Sequence, residues 1–397
     1  MPIYLDHAAT SPLRPEALEA MLPVLTSTWG NPSSGHALGR AAREALDDAH
    51  ERLARSIGGD PREVVFTSGG TEACNLALKG AAWAGRARGA RIVTSAVEHL
   101  AVGNALAHLE KFGFEIVTVP VDRYGRVDPA DVETALTDRT ILVAVMLANN
   151  EVGTIQPVAD IARVVKARRG ILFHVDAVQA APWMPIDVPA LGADLVAFAA
   201  HKAEGPKGTG ALWIRKGTHI LAQQHGGAQE RHRRAGTEDV AGAVGMARAF
   251  ELAATERPAT VERVLALRER LAEAVLAVEG VELTGHPTER LPHILSLVLR
   301  GVDGASATVA LDLEGVAAST GSACTTGSTE PSHVLAAMGY PTDEARGAVR
   351  LSLGRSTTDV EIEDAARVVP AVLRRLRETA PAAAATRPAM TAEAGAR

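Results

Sequence analysis

Between residues 64 and 198, short β-branched runs alternate with helix-length stretches, and this alternation constrains the fold more than any other feature of the chain. The runs cover 64–66, 92–94, 116–119, 141–145, 171–175 and 195–198, and stretches such as 159–168 separate them. Strands alternating with helices predict a mostly parallel sheet covered on both faces. No Asn-Gly turn joins the runs, so a hairpin-built β protein is the weaker reading. Upstream, Ala41, Ala45, Ala49, Leu53 and Ile57 recur at helical spacing and end at Gly58-Gly59, which predicts an opening helix.

The pattern changes at 241–279, where Leu265, Leu267, Leu271, Ala274 and Leu276 lie within a charged, almost wholly helical stretch. Beyond it, 281–284, 294–299, 316–319 and 349–353 read as strands and 361–378 as an amphipathic helix, which together predict a small α+β domain. The last stretch, 381–397, is rich in Ala and Thr without amphipathic period and reads as a disordered tail. With 397 residues and 47% apolar content, the chain can bury both a large core and a smaller one.

Charge and cysteine content narrow the chemistry. A formal net charge of −6 offers no basic field, so a small molecule is a better first partner than nucleic acid or an anionic membrane. No run approaches a membrane span, and the N-terminus lacks a basic-then-apolar leader, so a cytoplasmic protein is expected. Two cysteines, Cys74 and Cys324, are too few for a disulfide framework or a zinc ribbon, and no metal site is expected.

Four polar clusters follow the predicted strands, and in a parallel sheet the strand C-termini share one edge where ligands bind. Thr67-Ser68-Gly69-Gly70-Thr71-Glu72 leaves a strand and opens a helix, a place where free N–H groups suit a phosphate, although Gly-Gly-Thr is also an ordinary turn and cap. His174-Val175-Asp176-Ala177-Val178-Gln179 puts a carboxylate at the end of an apolar strand; a protonated pyridine nitrogen, a helix cap or a structural ion pair would satisfy it. Ala199-Ala200-His201-Lys202 places a lysine where desolvation favours its nucleophilic amine and so a Schiff base, with Lys207 as a solvated turn residue or an alternative. Residues 319–328 are nearly all small and polar around Cys324, which predicts an accessible loop, whereas Cys74 precedes Asn75-Leu76 on a helix and reads as packing.

Taken together, these residues resemble the cysteine desulfurases of the aminotransferase class V family, in its housekeeping and nitrogen-fixation branch. The likeness runs from Tyr4 to about Thr358. It is carried by Tyr4-Leu-Asp-His-Ala-Ala-Thr10, Gly30-Asn-Pro-Ser-Ser34 with His36, Phe66-Thr-Ser-Gly-Gly-Thr-Glu72, Glu98-His99, Asn149-Asn-Glu-Val-Gly153, His174-Val-Asp176 with Gln179, and His201-Lys202 with Gly205-Pro-Lys-Gly208. Gly226-Gly227, Gln229-Glu-Arg231, Gly236-Thr237, Ser322-Ala-Cys324, Glu330-Pro-Ser332 and Arg350-Leu-Ser-Leu-Gly354 complete the series.

The resemblance implies fold type I of the pyridoxal-phosphate-dependent transferases, with a large, mostly parallel sheet domain at 16–255, a smaller α+β domain at 256–380 carrying the cysteine loop, and an N-terminal segment, 1–15, packed on the small domain. It implies that Lys202 holds pyridoxal 5'-phosphate, Asp176 pairs with its pyridine nitrogen, His99 stacks on the ring, and Gln179 and Asn150 contact the ring oxygen or substrate. Gly70, Thr71 and His201 would bind the phosphate, Thr237 would reach the phosphate of the second subunit in a homodimer, and Arg350 would clamp the substrate carboxylate. Cys324 would take sulfur from L-cysteine as a persulfide, leaving L-alanine. The longer form of 324–330 implies hand-over to an acceptor such as an iron–sulfur scaffold protein. A selenocysteine lyase of the same fold and a non-catalytic cofactor-binding scaffold are the alternatives. The chain departs from the family pattern at Ala199 and Ala235, where serine is usual, and at Ala203-Glu204.

Overall fold

Each predicted run from 64 to 198 forms a strand, because β-branched and aromatic side chains that pack on both faces fit a sheet covered by helices. The computed structural model describes residues 2–321 and 331–379; Cys324 and the tail expected at 381–397 lie outside them. In chain order the first strands are β1 (Ile3–Tyr4), β2 (Val64–Thr67), β3 (Arg91–Ser95), β4 (Glu115–Val119), β5 (Thr140–Met146), β6 (Leu172–Asp176), β7 (Leu195–Ala199) and β8 (Gly210–Ile214). Strands β2 to β8 form one sheet in the order β2-β8-β7-β6-β5-β3-β4. Only β8 runs against its neighbours, so the sheet is mixed but mostly parallel, as predicted.

Alternation along the strands divides the core into two layers. Val143, Val145, Val196 and Phe198 face one layer, with Leu46 and Leu53 of helix Ala37–Ser56 and Ile161 and Val165 of helix Val158–Lys166. Leu142, Ala144, Leu195 and Ala197 face the other, with Leu76 and Leu78 of helix Gly70–Gly85 and Val102 and Leu106 of helix Leu100–Glu110.

Val240–Leu276 is a single helix that packs on Pro15–Thr26, Ala37–Ser56 and Asp359–Thr379. After it come β9 (Val281–Leu283), β10 (Ile294–Leu299), β11 (Val316–Ala317) and β12 (Ala348–Ser352). Strands β12, β10 and β9 form an antiparallel sheet, while β11 pairs in parallel with β1 at the other end of the chain. No helix among the described residues is long and apolar enough to cross a membrane.

The loop after β2 reaches the sheet edge through a close backbone approach. A Cβ on Gly210, the first residue of β8, would sit 2.5 Å from the carbonyl carbon of Gly69 and 2.7 Å from the Phe198 oxygen. Backbone lies on both sides, so neither neighbour can yield as a side-chain tip would. Gly210→Ala is therefore expected to cost about 2–3 kcal/mol of stability, measured as a lowered urea midpoint at unchanged m-value.

Candidate active site

Strands β2, β3, β5, β6 and β7 all end at one edge, and the loops leaving them surround a cavity of about 380 Å³. Gly70, Thr71, His99, Asn150, Asp176, Gln179, His201, Lys202 and Arg350 all line it, so residues spread over 281 positions meet at one place. Thr237 does not line it and is exposed.

Gly70 begins the helix that follows β2. A Cβ there would lie 2.8 Å from Val178 Cγ2 and 3.4 Å from Ala199 Cβ, so the bare backbone keeps open a notch where three strand-end loops converge. Glu72, one turn in, accepts from the Ser68 amide at 2.7 Å and pairs with Arg234 at 2.9 Å. Those bonds hold the loop to the segment that carries Thr237.

Asp176 ends β6, almost wholly buried. One carboxylate oxygen accepts from the Val178 amide at 2.9 Å, and the other accepts from the Cys74 thiol at 3.7 Å. Cys74 is fully buried, as its helical context predicted, and its thiol is pushed well above the ordinary range by burial, then by the nearby charge of Asp176. It is thus a permanent thiol with no nucleophilic role at neutral pH.

His99 caps helix Leu100–Glu110, its Nδ1 accepting from the Ala101 amide at 3.1 Å. Beside it, Glu98 is buried, and desolvation raises its carboxyl to about 8 against the opposing hydrogen bonds from the Ser95 hydroxyl and the Met146 amide. The acid therefore keeps its proton at neutral pH.

Lys202 closes a short turn, Ala200–Lys202, directly after β7. Its Nζ donates to the carbonyl oxygens of Ala8 and, at 2.8 Å, Ala9, so the N-terminal segment lies against the amine. The Ser11 amide and hydroxyl donate to the His201 carbonyl, and His201 Nδ1 lies 3.1 Å from the Thr10 hydroxyl. Lys207 is exposed, in line with its reading as a turn residue.

Arg350 on β12 is buried rather than facing solvent. Its guanidinium donates to the carbonyl oxygens of Asn150 at 2.8 Å and Gly321 at 2.9 Å, and pairs with Asp6 at 2.8 Å. Asn149 shapes the preceding turn: its side-chain oxygen accepts from the Glu151 and Val152 amides, and its amide donates to the Val97 carbonyl.

Several contacts escaped the sequence reading. His333 lines the cavity and donates from Nε2 to the Glu98 carbonyl at 2.9 Å; its place directly after Glu330-Pro-Ser332 was the available signal. Cys74 touching Asp176 had none, because 102 residues separate them.

An amine, a buried carboxyl, a helix N-terminus and an arginine thus meet around one cavity. The aminotransferase class-V family pattern matches residues 3–364. The chain belongs to the aminotransferase class-V family. Cysteine desulfurase IscS of Methanosarcina thermophila is 46% identical over 379 residues, spanning 96% of this chain and 94% of that protein. The IscS of Dictyoglomus turgidum is 47% identical over 96% of both. Among solved structures, a NifS-like protein superposes with a TM-score of 0.89 at 36% identity, covering 95% of this chain and all of that one. DndA from Streptomyces lividans follows at 0.75 and 34%, covering 88% and 99%. Within the class-V family, the chain falls among the cysteine desulfurases.

Two predictions follow from burial. In Cys324→Ala protein, Ellman's reagent should titrate no thiol in the native state and one after denaturation, since Cys74 is enclosed; labelling of the native variant would contradict the geometry.

The second concerns pH. His7, His174 and His201 are each lowered to about 4, with burial the first cause, and His293 is pushed well below the usual range. Unfolded, these imidazoles take up protons from pH 6.5 downward, so the unfolded state holds more protons between about 6.5 and 4 and stability falls as pH falls. Glu98 acts oppositely: the folded state keeps its proton up to about 8, so its contribution is lost as pH rises from 4.5 to 8. Four histidines outweigh one carboxyl. Urea midpoints should peak near neutrality and drop steeply toward pH 4, by about 1.4 kcal/mol per pH unit for each unmatched proton.

Proposed function

We propose that the chain converts L-cysteine to L-alanine with pyridoxal 5'-phosphate and holds the released sulfur as a persulfide on Cys324. The observation that supports this most directly is the convergence of Lys202, Asp176 and the Gly70–Thr71 helix start on a single cavity. The cavity fits the group: Gly70 leaves room that a Cβ would fill, a helix N-terminus opens on it and suits an anion, and Asp176 supplies the carboxylate that a pyridine nitrogen needs.

In this reading Lys202 holds the cofactor, Asp176 pairs with its ring nitrogen, His99 covers the ring, and Gly70, Thr71 and His201 take the phosphate. His201 also lines the cavity, with its Nδ1 3.1 Å from the Thr10 hydroxyl. Ala199 offers no hydroxyl there. Gln179 and Asn150 contact the ring oxygen or the substrate, and Thr237 serves the phosphate of the second subunit in a homodimer. Residues 16–255 would form the large domain that holds the cofactor, and 256–380 the smaller domain whose sequence includes Arg350 and Cys324, with 1–15 packed on it.

When bound, pyridoxal phosphate withdraws electrons and acidifies the Cα–H of the substrate. Arg350 binds and orients the substrate carboxylate, the Lys202 amine takes the Cα proton, and the Cys324 thiolate attacks the substrate sulfur. The S–S bond forms as the C–S bond breaks, and the carbon product leaves as alanine. The persulfide then passes to an acceptor protein in the cytoplasm, an iron–sulfur scaffold among them.

Cys324→Ala should keep the yellow colour of the bound cofactor yet lose alanine and sulfide release from cysteine by about 1,000-fold or more. Full turnover in that variant would rule out the persulfide role.

A further inference from the structure

Gln179, just beyond β6, and His293, just before β10, form a buried pair, and the reaction outlined above gives His293 no role. Their side-chain Nε2 atoms lie 3.0 Å apart, with 5% and 0% of the residues exposed. The His293 ring lies flat on Trp183, with centroids 4.1 Å apart and planes 11° from parallel. The stack fixes the plane of the imidazole; with Nε2 on the Gln179 side, the placement of hydrogens and the sense of the carboxamide remain to be settled.

Two nitrogens form a hydrogen bond only when one carries the proton and the other a lone pair. With the Gln179 nitrogen toward His293, the imidazole proton sits on Nδ1, which is buried without a partner, and the Gln179 oxygen is buried without a donor. A half-turn of the carboxamide exchanges its two ends in the same space. His293 Nε2–H then donates to the Gln179 oxygen, Nδ1 keeps only an unused lone pair, and the amide N–H group moves to the side away from His293. Each arrangement leaves two buried N–H groups to satisfy; in the second both lie on the carboxamide, where the ring oxygen of the cofactor can accept one, whereas in the first one lies on Nδ1, which has no partner.

We propose that His293 is a positioning residue that holds Gln179 with its amide N–H turned to the cavity as a donor to the ring oxygen of the cofactor. The inference rests on the pyridoxal phosphate reading. It requires a neutral imidazole, and the surroundings supply that: burial first, with the cations Arg350, Lys202 and Arg268 also disfavouring a second proton. His7 is itself neutral, lowered to about 4.

The test uses the full-length holoenzyme. His293→Phe keeps a ring on Trp183 but has no N–H, whereas His293→Gln places an amide N–H at similar reach. Without its anchor the Gln179 donor is lost from the ionised ring oxygen, so the pH midpoint of the visible absorbance band should rise by about one unit in His293→Phe. kcat with L-cysteine should fall about tenfold with KM changed less, and His293→Gln should restore both. A purely structural role predicts that the Phe variant titrates like the parent, and that result overturns the proposal. Nitrogen-15 spectra of histidine-labelled parent protein give an independent reading: the Nε2–H tautomer is expected for His293, and Nδ1–H overturns it whether or not the Phe variant folds. A parent protein with no visible band would instead refute the cofactor reading.

Discussion

Arg350 is the contact on which the site depends. A guanidinium buried without partners costs several kcal/mol, so the chain must bring acceptors to it. They come from Asp6 near the N-terminus, Asn150 beyond β5 and Gly321 beyond β11, which pins the N-terminal segment and the small antiparallel sheet to the carboxyl edge of the large sheet. With Asp6 anchored, the following residues lie over Lys202, and the carbonyls of Ala8 and Ala9 take up its amine. The cavity is thus closed on one side by residues that β-sheet pairing alone would leave apart. The ion pair with Asp6 also holds the guanidinium fork in one plane.

Beneath the cavity the protein avoids charge. Glu98 retains its proton, Cys74 stays a thiol, and the buried imidazoles stay neutral. Each of these polar groups is affordable inside only in its uncharged form, since burying an isolated ion costs far more than burying a hydrogen-bonded neutral group. The arrangement leaves the fields of Asp176 and Lys202 little opposed by neighbours, at the expense of acid stability.

Much of this was legible in the chain. The β-branched runs became the strands of the large sheet at nearly the predicted bounds, because side chains buried on both faces leave an apolar run that needs no partner to be recognised. The polar clusters after those runs became the cavity wall, since parallel strands must end on a common edge. The reversed direction of β8 was not legible, as strand polarity depends on which neighbours it joins. Nor were the contacts of Cys74 with Asp176, His333 with Glu98 or Gln179 with His293, each of which joins residues more than 100 positions apart.

By itself, then, the sequence determined an inventory and its coarse placement: one lysine, one buried acid and a glycine-led helix start at strand ends, because local periodicity and turn chemistry depend on near neighbours. The tertiary structure alone decided which of these groups meet, that Arg350 points inward to Asp6, and which protons the buried acids and imidazoles keep. Those outcomes depend on dielectric and on distances between remote segments, which strand order and packing set and no stretch of sequence contains.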